Sequence, residues 1–159
     1  MHIRPFESAD TLVAIRIWNR VIADGVAFPQ LYYLDEQSGA AFFMNQTHTA
    51  VAEENGEILG LYILHPNNEG RCGHIGNASY AVRHDVRGQK IGEALIRDSL
   101  RTAKEKGFRL MQFNAVVKNN HAALHLYEKL GFVKLGEIPG GFRMKDQTYQ
   151  DIVLFYRKL

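Results

Sequence analysis

The segment Val82-Arg83-His84-Asp85-Val86-Arg87-Gly88-Gln89-Lys90-Ile91-Gly92-Glu93-Ala94 constrains the fold of this chain more than any other. An apolar strand, His74 to Val82, enters a polar turn with glycines at 88 and 92, and the turn opens a long helix. On that helix Ile91, Leu95, Ile96, Leu100 and Ala103 fall on one side and Glu93, Arg97, Asp98, Arg101, Lys104 and Glu105 on the other, so it must lie on something apolar. Gly107 stops it, and Leu110 to Val117 reads as a mostly buried strand. The result is a β-α-β unit at the centre of a sheet. The first N–H groups of the helix have no partner within it. With the positive end of the helix dipole and the cations Arg83, Arg87 and Lys90 nearby, they suit a phosphate or pyrophosphate. The alternative is a tight strand-helix turn with a solvated basic rim.

The flanking segments extend this unit on both sides. His2 to Phe6 reads as a short strand, and Ser8 is placed to cap a helix carrying Leu12, Val13, Ile15, Ile17, Trp18, Val21 and Ile22 at helical spacing, ended by Asp24-Gly25. A weaker helical stretch covers Asp35 to Asn45. Ala50-Val51-Ala52 and Ile58 to Leu64 flank the Asn55-Gly56 pair, which suits a tight hairpin turn, and His65 to Gly70 is loop. Asn120 to Leu130 forms a short helix with Ala122, Ala123, Leu126, Tyr127 and Leu130 inward. Gly131-Phe132-Val133 starts a strand, Gly140-Gly141 marks a turn, and Tyr149 to Tyr156 closes the order β-α-α-β-β-β-α-β-α-β-β. This is an α+β arrangement: a mixed central sheet of about six to seven strands flanked by about four helices.

Composition narrows the partners. With 159 residues, 46% hydrophobic and 23% charged, and no linker-like stretch or repeat, residues 1–159 read as one domain. Nineteen basic against seventeen acidic residues give a net charge of +2, too little for a surface that holds nucleic acid by its phosphates. No apolar run approaches the roughly 18 residues of a membrane span. The single cysteine, Cys72, and a start without a secretory apolar core point to a reducing cytoplasm. The turn is neither a Rossmann G-x-G-x-x-G, which needs three glycines, nor a Walker A loop, because Glu93 follows Gly92.

Two blocks carry a resemblance. Arg87-Gly88-Gln89-Lys90-Ile91-Gly92 is similar to the acetyl-CoA signature [Q/R]-x-x-G-x-[G/A] of the GNAT superfamily of N-acetyltransferases, with Lys90 at the place of its internal glycine. Asn120-x-x-Ala123-x-x-Leu126-Tyr127-Glu128-Lys129-x-Gly131-Phe132 resembles the N-x-x-A-x-x-L-Y-x-x-x-G-F stretch of the same superfamily, at a suitable distance downstream. The element order matches over the whole chain. The resemblance implies a GNAT-type fold in which the strands ending at Val82 and at Val117 splay apart to admit pantetheine. Acetyl-CoA is the implied co-substrate, with no metal, and a homodimer is compatible with such a fold. The backbone of Tyr80, Ala81 and Val82 would pair with the arm; Arg87, Gly88, Gln89, Lys90, Ile91, Gly92 and Glu93 would hold the pyrophosphate; Asn120 would bond pantetheine or neighbouring atoms.

The chemistry implied is direct acetyl transfer to an amine. An alkyl amine with a pKa near 10.4 is neutral in only about one molecule in 2,500 at pH 7, a cost of roughly 4.6 kcal/mol, so a base or a desolvating pocket is useful. Tyr127 matches the family's general acid at sulfur; on the residues alone it reads as a core-facing tyrosine of an amphipathic helix. The base is open among Glu53, Glu54, His74 and Asp85, each of which also reads as a solvated side chain. Asn77 interrupts an apolar strand beside the expected thioester, where its amide would orient substrate or steady the oxyanion, or else hydrogen-bond at a β-bulge with Gly76. Gly76-Asn77-Ala78 and Lys118-Asn119-Asn120 look similar to the branch acetylating small primary or secondary amines, including proline analogues. There, asparagines at these two places, Asn77 and Asn119 or Asn120 here, line the acceptor site. The acceptor wall falls to the segments Asp24 to Tyr33 and Pro139 to Tyr149, with Phe28, Tyr32, Tyr33, Phe142 and Tyr149; these favour a small, partly apolar amine, as simple packing also explains. Asp24 would pair with an ammonium or serve only as a turn former. A protein α-amine or lysine as acceptor, or a non-catalytic acyl-CoA-binding module, are the alternative functions.

Overall fold

The computed structural model describes residues 1–159 as a seven-stranded mixed sheet with four α-helices. The elements are β1 (His2–Pro5), α1 (Thr11–Asp24), α2 (Glu36–Met44), β2 (His48–Glu54), β3 (Glu57–Pro66), β4 (Ile75–Val82), α3 (Ile91–Glu105), β5 (Leu110–Val117), α4 (His121–Lys129), β6 (Val133–Arg143) and β7 (Tyr149–Lys158). The spatial order is β1-β2-β3-β4-β5-β7-β6, and only β4 and β5 run parallel. No helix is long and apolar enough to cross a membrane.

Two cores, one on each face, explain why β3 reads as an unbroken apolar run. Ile58, Leu61 and Ile63 pack with Trp18 and Phe43 under α1 and α2, while Leu59, Tyr62 and Leu64 pack with Leu95, Ile96 and Leu100 of α3. A strand covered on both faces has no solvent side to make polar. Trp18 is fully buried, its ring centroid 4.4 Å from that of Phe28 and 5.3 Å from that of Phe42. Gly60 sits where α3 crosses β3: a Cβ there would lie 2.8 Å from the Ala81 carbonyl oxygen and 3.2 Å from Leu95 Cδ1.

Local chemistry sets the boundaries. Asn55 and Gly56, at φ 52° and 80°, make the β2–β3 turn, and Gly25 ends α1 at φ 66°. Four expectations are corrected. Ser8 does not cap α1: Glu7 and Asp10 form a reciprocal capping box around a short 3-10 turn at Ser8–Asp10, and α1 begins at Thr11. Leu12 lies within α1 but one turn before Arg16 on its outer face, and it is 54% exposed. On α4 Ala122 is exposed, and Leu124 packs on the core. Gly140-Gly141 lies within β6, where the register with β7 shifts between Ile138 and Phe142; the reversal falls at Lys145 to Gln147. A Cβ on Gly141 would stand 2.5 Å from Ile152 Cγ1, so the glycine serves the bulge rather than a turn.

The feature that positions the site is the parting of β4 from β5. Their ladder holds only at Ile75–Leu110 and Gly76–Met111, where the Phe108 ring lies against Gly76, its Cγ 3.2 Å from where a Cβ would stand. Beyond Gly76 the β5-facing edge of β4 is unpaired as far as Val82. β5 stays with β7 instead, with a bulge between Phe113 and Val116. Beneath the opening sits an aromatic wedge: Phe113 is 4.7 Å from Phe132, 4.6 Å from Tyr127 and edge-on to Tyr80 at 6.0 Å, centroid to centroid.

Candidate active site

The turn before α3 is a cradle of free donors. None of the backbone N–H groups from Arg87 to Glu93 donates to another protein group; the first intrahelical bond of α3 runs from Ala94 N–H to the Lys90 carbonyl. Two positive φ angles bend the chain there, 87° at Gly88 and 62° at Lys90. Lys90 therefore adopts, at the cost of its Cβ, the left-handed conformation that glycine takes freely.

The basic rim is more committed than its sequence suggests. Arg83 bonds Glu57 at 3.0 Å and Asp85 at 2.8 Å, and Arg87 bonds Asp24 at 3.0 Å. Asp24 also forms an ion pair with Arg20, so it pins the end of α1 to the turn rather than waiting for an ammonium. Lys90 forms no ion pair and is exposed. Glu93 is clamped by Lys129 and Arg97, each at 2.7 Å, and these cations hold its carboxyl down at about 2. The first clamp ties the α3 turn to α4.

Between this turn and the α1–α2 connection lies a cavity of about 720 Å³. It follows the opening between β4 and β5, and Asn77, Tyr80, Gly92, Asn120 and Tyr127 of the expected site line it together. Ala81, Val82, Arg87, Gly88, Gln89, Lys90, Ile91 and Glu93 do not line it; they form the end of β4 and the turn beside Gly92. No Asp, Glu, Lys or Arg lines the cavity. Of the base candidates, Glu53 is bonded to Arg4 at 2.6 Å, Glu54 to the N-terminal ammonium at 2.7 Å, Asp85 to Arg83, and His74 is exposed before β4; none lines the cavity. Phe28 lines it, whereas Tyr32 and Tyr149 point to solvent, 86% and 63% exposed.

Three side chains define its chemistry. The Tyr127 hydroxyl has no protein hydrogen bond, and burial among Phe113, Phe132 and Phe155 pushes its pKa well up, so the phenol keeps its proton. Asn120 caps α4 by accepting from the Ala123 N–H at 3.2 Å, which leaves its amide N–H groups free to donate. Asn77 donates to Asn67 Oδ1 at 2.9 Å and shares that oxygen with Asn114, 2.6 Å away. Asn67, itself outside the cavity lining, thus ties Asn77 of β4 to Asn114 of β5, and the β3–β4 register runs through Asn77 with no bulge at Gly76. The amide of Asn77 is held with Oδ1 and one N–H for the cavity.

Residues outside the sequence reading complete the wall. His65 sits opposite Asn77 in the β3–β4 ladder, and its Nδ1 is 2.9 Å from the Pro66 carbonyl oxygen. A carbonyl only accepts, so Nδ1–H is the donor in this contact, and in the neutral ring that tautomer puts the lone pair on Nε2. Gln30, Gln46 and Asn114 also line the cavity. The signal for His65 and Asn67 was present in His65-Pro66-Asn67-Asn68, a polar stretch that a loop explains equally well.

Comparison with known proteins agrees with this architecture. Over 108 residues the chain is 32% identical to the N-acetyltransferase aca1 of Schizosaccharomyces pombe, a match covering 67% of this chain and 52% of that protein, so it spans about half of that relative's length. It is 28% identical over 145 residues to the L-amino acid N-acyltransferase MnaT of Escherichia coli, covering 87% of this chain and 83% of that one. The structure of yncA from Salmonella typhimurium with its cofactor acetyl-CoA superposes with a TM-score of 0.93 at 21% identity, covering 100% of this chain and 94% of that chain, and shares the fold. Residues 14–132, from within α1 to the start of β6 and so including the donor cradle, the strand opening and α4, match the model of the acetyltransferase (GNAT) family, and the chain belongs to that family.

Proposed function

We propose that this protein transfers an acetyl group from acetyl-CoA directly to the primary or secondary amine of a small molecule, an amino acid or analogue. The observation that carries this reading is one continuous feature: a cradle of unbonded N–H groups at residues 87–93 opens into a charge-free cavity between β4 and β5. The cradle fits a pyrophosphate, and the unpaired edge of β4 from Asn77 to Val82 fits an extended amide-bearing arm that adds as a strand. Asn120 would donate to that arm. When bound, acetyl-CoA supplies an activated thioester carbonyl.

The chain's own groups manage the protons. The charge-free wall disfavours an ammonium and so favours the neutral amine. His65 Nε2 takes the proton that nitrogen sheds as the C–N bond forms, and the Tyr127 hydroxyl gives its proton to sulfur as the C–S bond breaks. Asn77 orients the amine through Oδ1 and offers its remaining N–H to the carbonyl oxygen. The similarity to an L-amino acid N-acyltransferase supports a small acceptor.

The test is free-thiol release from acetyl-CoA with a panel of small amines, comparing wild type with Tyr127→Phe. The variant should lose about 100-fold or more in kcat, the scale of a missing proton donor. It loses no protein hydrogen bond, so its Tm and its affinity for CoA should hold. Turnover with no amine, together with no CoA binding, sinks the reading; an unaltered kcat removes Tyr127 from the chemistry.

A further inference from the structure

A second cavity of about 450 Å³ lies between the segment after α1 and the β6–β7 hairpin. It abuts the first, since Phe28, Pro29 and Gln30 line both. The two cavities differ sharply in charge. The first has no charged lining residue; the second has Arg143 and Lys145 and no carboxylate. Lys145 is engaged, donating to the Ala23 carbonyl at 3.2 Å, whereas Arg143 has no ion pair or side-chain hydrogen bond in the protein.

At the junction stands a buried acceptor without a donor. Gln30 Oε1 is the one buried side-chain oxygen or nitrogen in the molecule that makes no hydrogen bond. Buried polar groups are nearly always paired, so such an atom between two cavities calls for a donor from a ligand. A polyamine or the side chain of a basic peptide would bring surplus positive charge to a site that offers two cations and no carboxylate. An amine that also carries a carboxylate meets each feature with its complement.

We propose that the second cavity is the acid subsite of the acetyl acceptor: Arg143 pairs with the substrate carboxylate and Gln30 Oε1 accepts an N–H of the incoming amine. This rests on the small-amine acetyltransferase reading above and assigns the residues that would select the acid group of its acceptor. Arg143 offers a planar fork of donors that matches a carboxylate two bonds at a time, so lysine at this position would do less. Gln30, lining both cavities, turns the amine nitrogen toward the Asn77 side of the first.

The test pairs each L-amino acid of a panel with its carboxamide and follows thiol release from acetyl-CoA in wild type, Arg143→Gln and Gln30→Leu. Wild type should favour the acid over the amide by at least 10-fold in kcat/KM. Arg143→Gln should collapse that ratio toward one, mainly by raising KM for the acid while kcat and the KM for acetyl-CoA hold. Gln30→Leu should lower kcat/KM for acid and amide alike, and its Tm should not fall, because no protein hydrogen bond is lost. An acid-to-amide ratio near one in wild type, or an Arg143→Gln variant that keeps the full ratio, overturns the subsite while leaving the acetyltransferase reading intact. Absence of turnover with every amine brings down that reading, and the subsite with it.

Discussion

Lys90→Gly tests the cradle through its backbone. Lys90 precedes α3 at φ 62° and ψ 11°, with an exposed side chain that caps nothing and pairs with no acid. Holding an L-residue in the left-handed basin costs roughly 1–2 kcal/mol, which glycine avoids. Glycine also loosens the unfolded chain, which returns about 0.4–1 kcal/mol. The net expectation is a gain of about 0.8 kcal/mol, worth roughly 2–3 °C in Tm for a chain of this length. Lys90→Ala is the control: it retains the backbone cost and removes the same side chain, so its Tm should stay within about 1 °C of wild type. Differential scanning calorimetry on the three proteins decides the matter. If alanine stabilises as much as glycine, or if glycine gains nothing, the backbone at residue 90 is not strained. The same variants separate charge from geometry in binding. Both remove the ammonium from the end of the α3 dipole, so both should weaken acetyl-CoA by about 2- to 5-fold at low salt, with the difference shrinking as salt rises.

Three further outcomes follow from the geometry. Asn67 accepts from both Asn77 and Asn114, so Asn67→Asp, which keeps an acceptor, should retain most of kcat, whereas Asn67→Leu should lower it by about 10-fold or more; equal losses would mean that the amides face the other way. Gly60→Ala should cost about 1–3 kcal/mol in urea unfolding, since its Cβ would fall 2.8 Å from the Ala81 carbonyl oxygen and force β3 from β4. Arg4 holds the buried Asp10 carboxyl below its ordinary 3.8, and Lys129 and Arg97 hold Glu93 at about 2 rather than 4.5. Both shifts are downward, so their stabilisation is complete above about pH 4.5 and is lost as pH falls toward 2; Asp10→Asn should flatten that acid limb, measured by Tm against pH, and cost about 2 kcal/mol at neutral pH.

Much of the fold was legible because its causes are local. The helical spacing of α3, the Asn55-Gly56 turn and the two-sided apolar run of β3 depend on near neighbours and on periodicity, and the eleven elements occur in the order that these signals imply. The misplacements were also local in kind. Gly140-Gly141 reads as a turn because glycine frees the backbone, but what it relieves is a contact with Ile152 across the β6–β7 bulge. Leu12 reads as core because it is apolar, yet it falls four residues before Arg16 on the face of α1 turned from the sheet, and a capping box at Glu7 and Asp10 sets the start of that helix at Thr11.

The site divides in the same way. The free donors at the start of α3 and the place of Asn120 at the start of α4 could be read from the chain, since a helix end and its preceding turn are contiguous. The commitments of charged groups could not. Arg87 meets Asp24 from 63 residues away, and Glu93 meets Lys129 from 36, so a rim that reads as three free cations holds one, Lys90. Nor could sequence foresee that Asn114, His65 and Gln30 face the same opening, because they converge only when β3, β5 and the α1–α2 connection are packed. Periodicity and helix ends act over a few residues, so the elements, their order and the donor cradle are written into the chain itself. The tertiary structure decided which polar groups remain unspent, because a side chain's partner is set by distance in space.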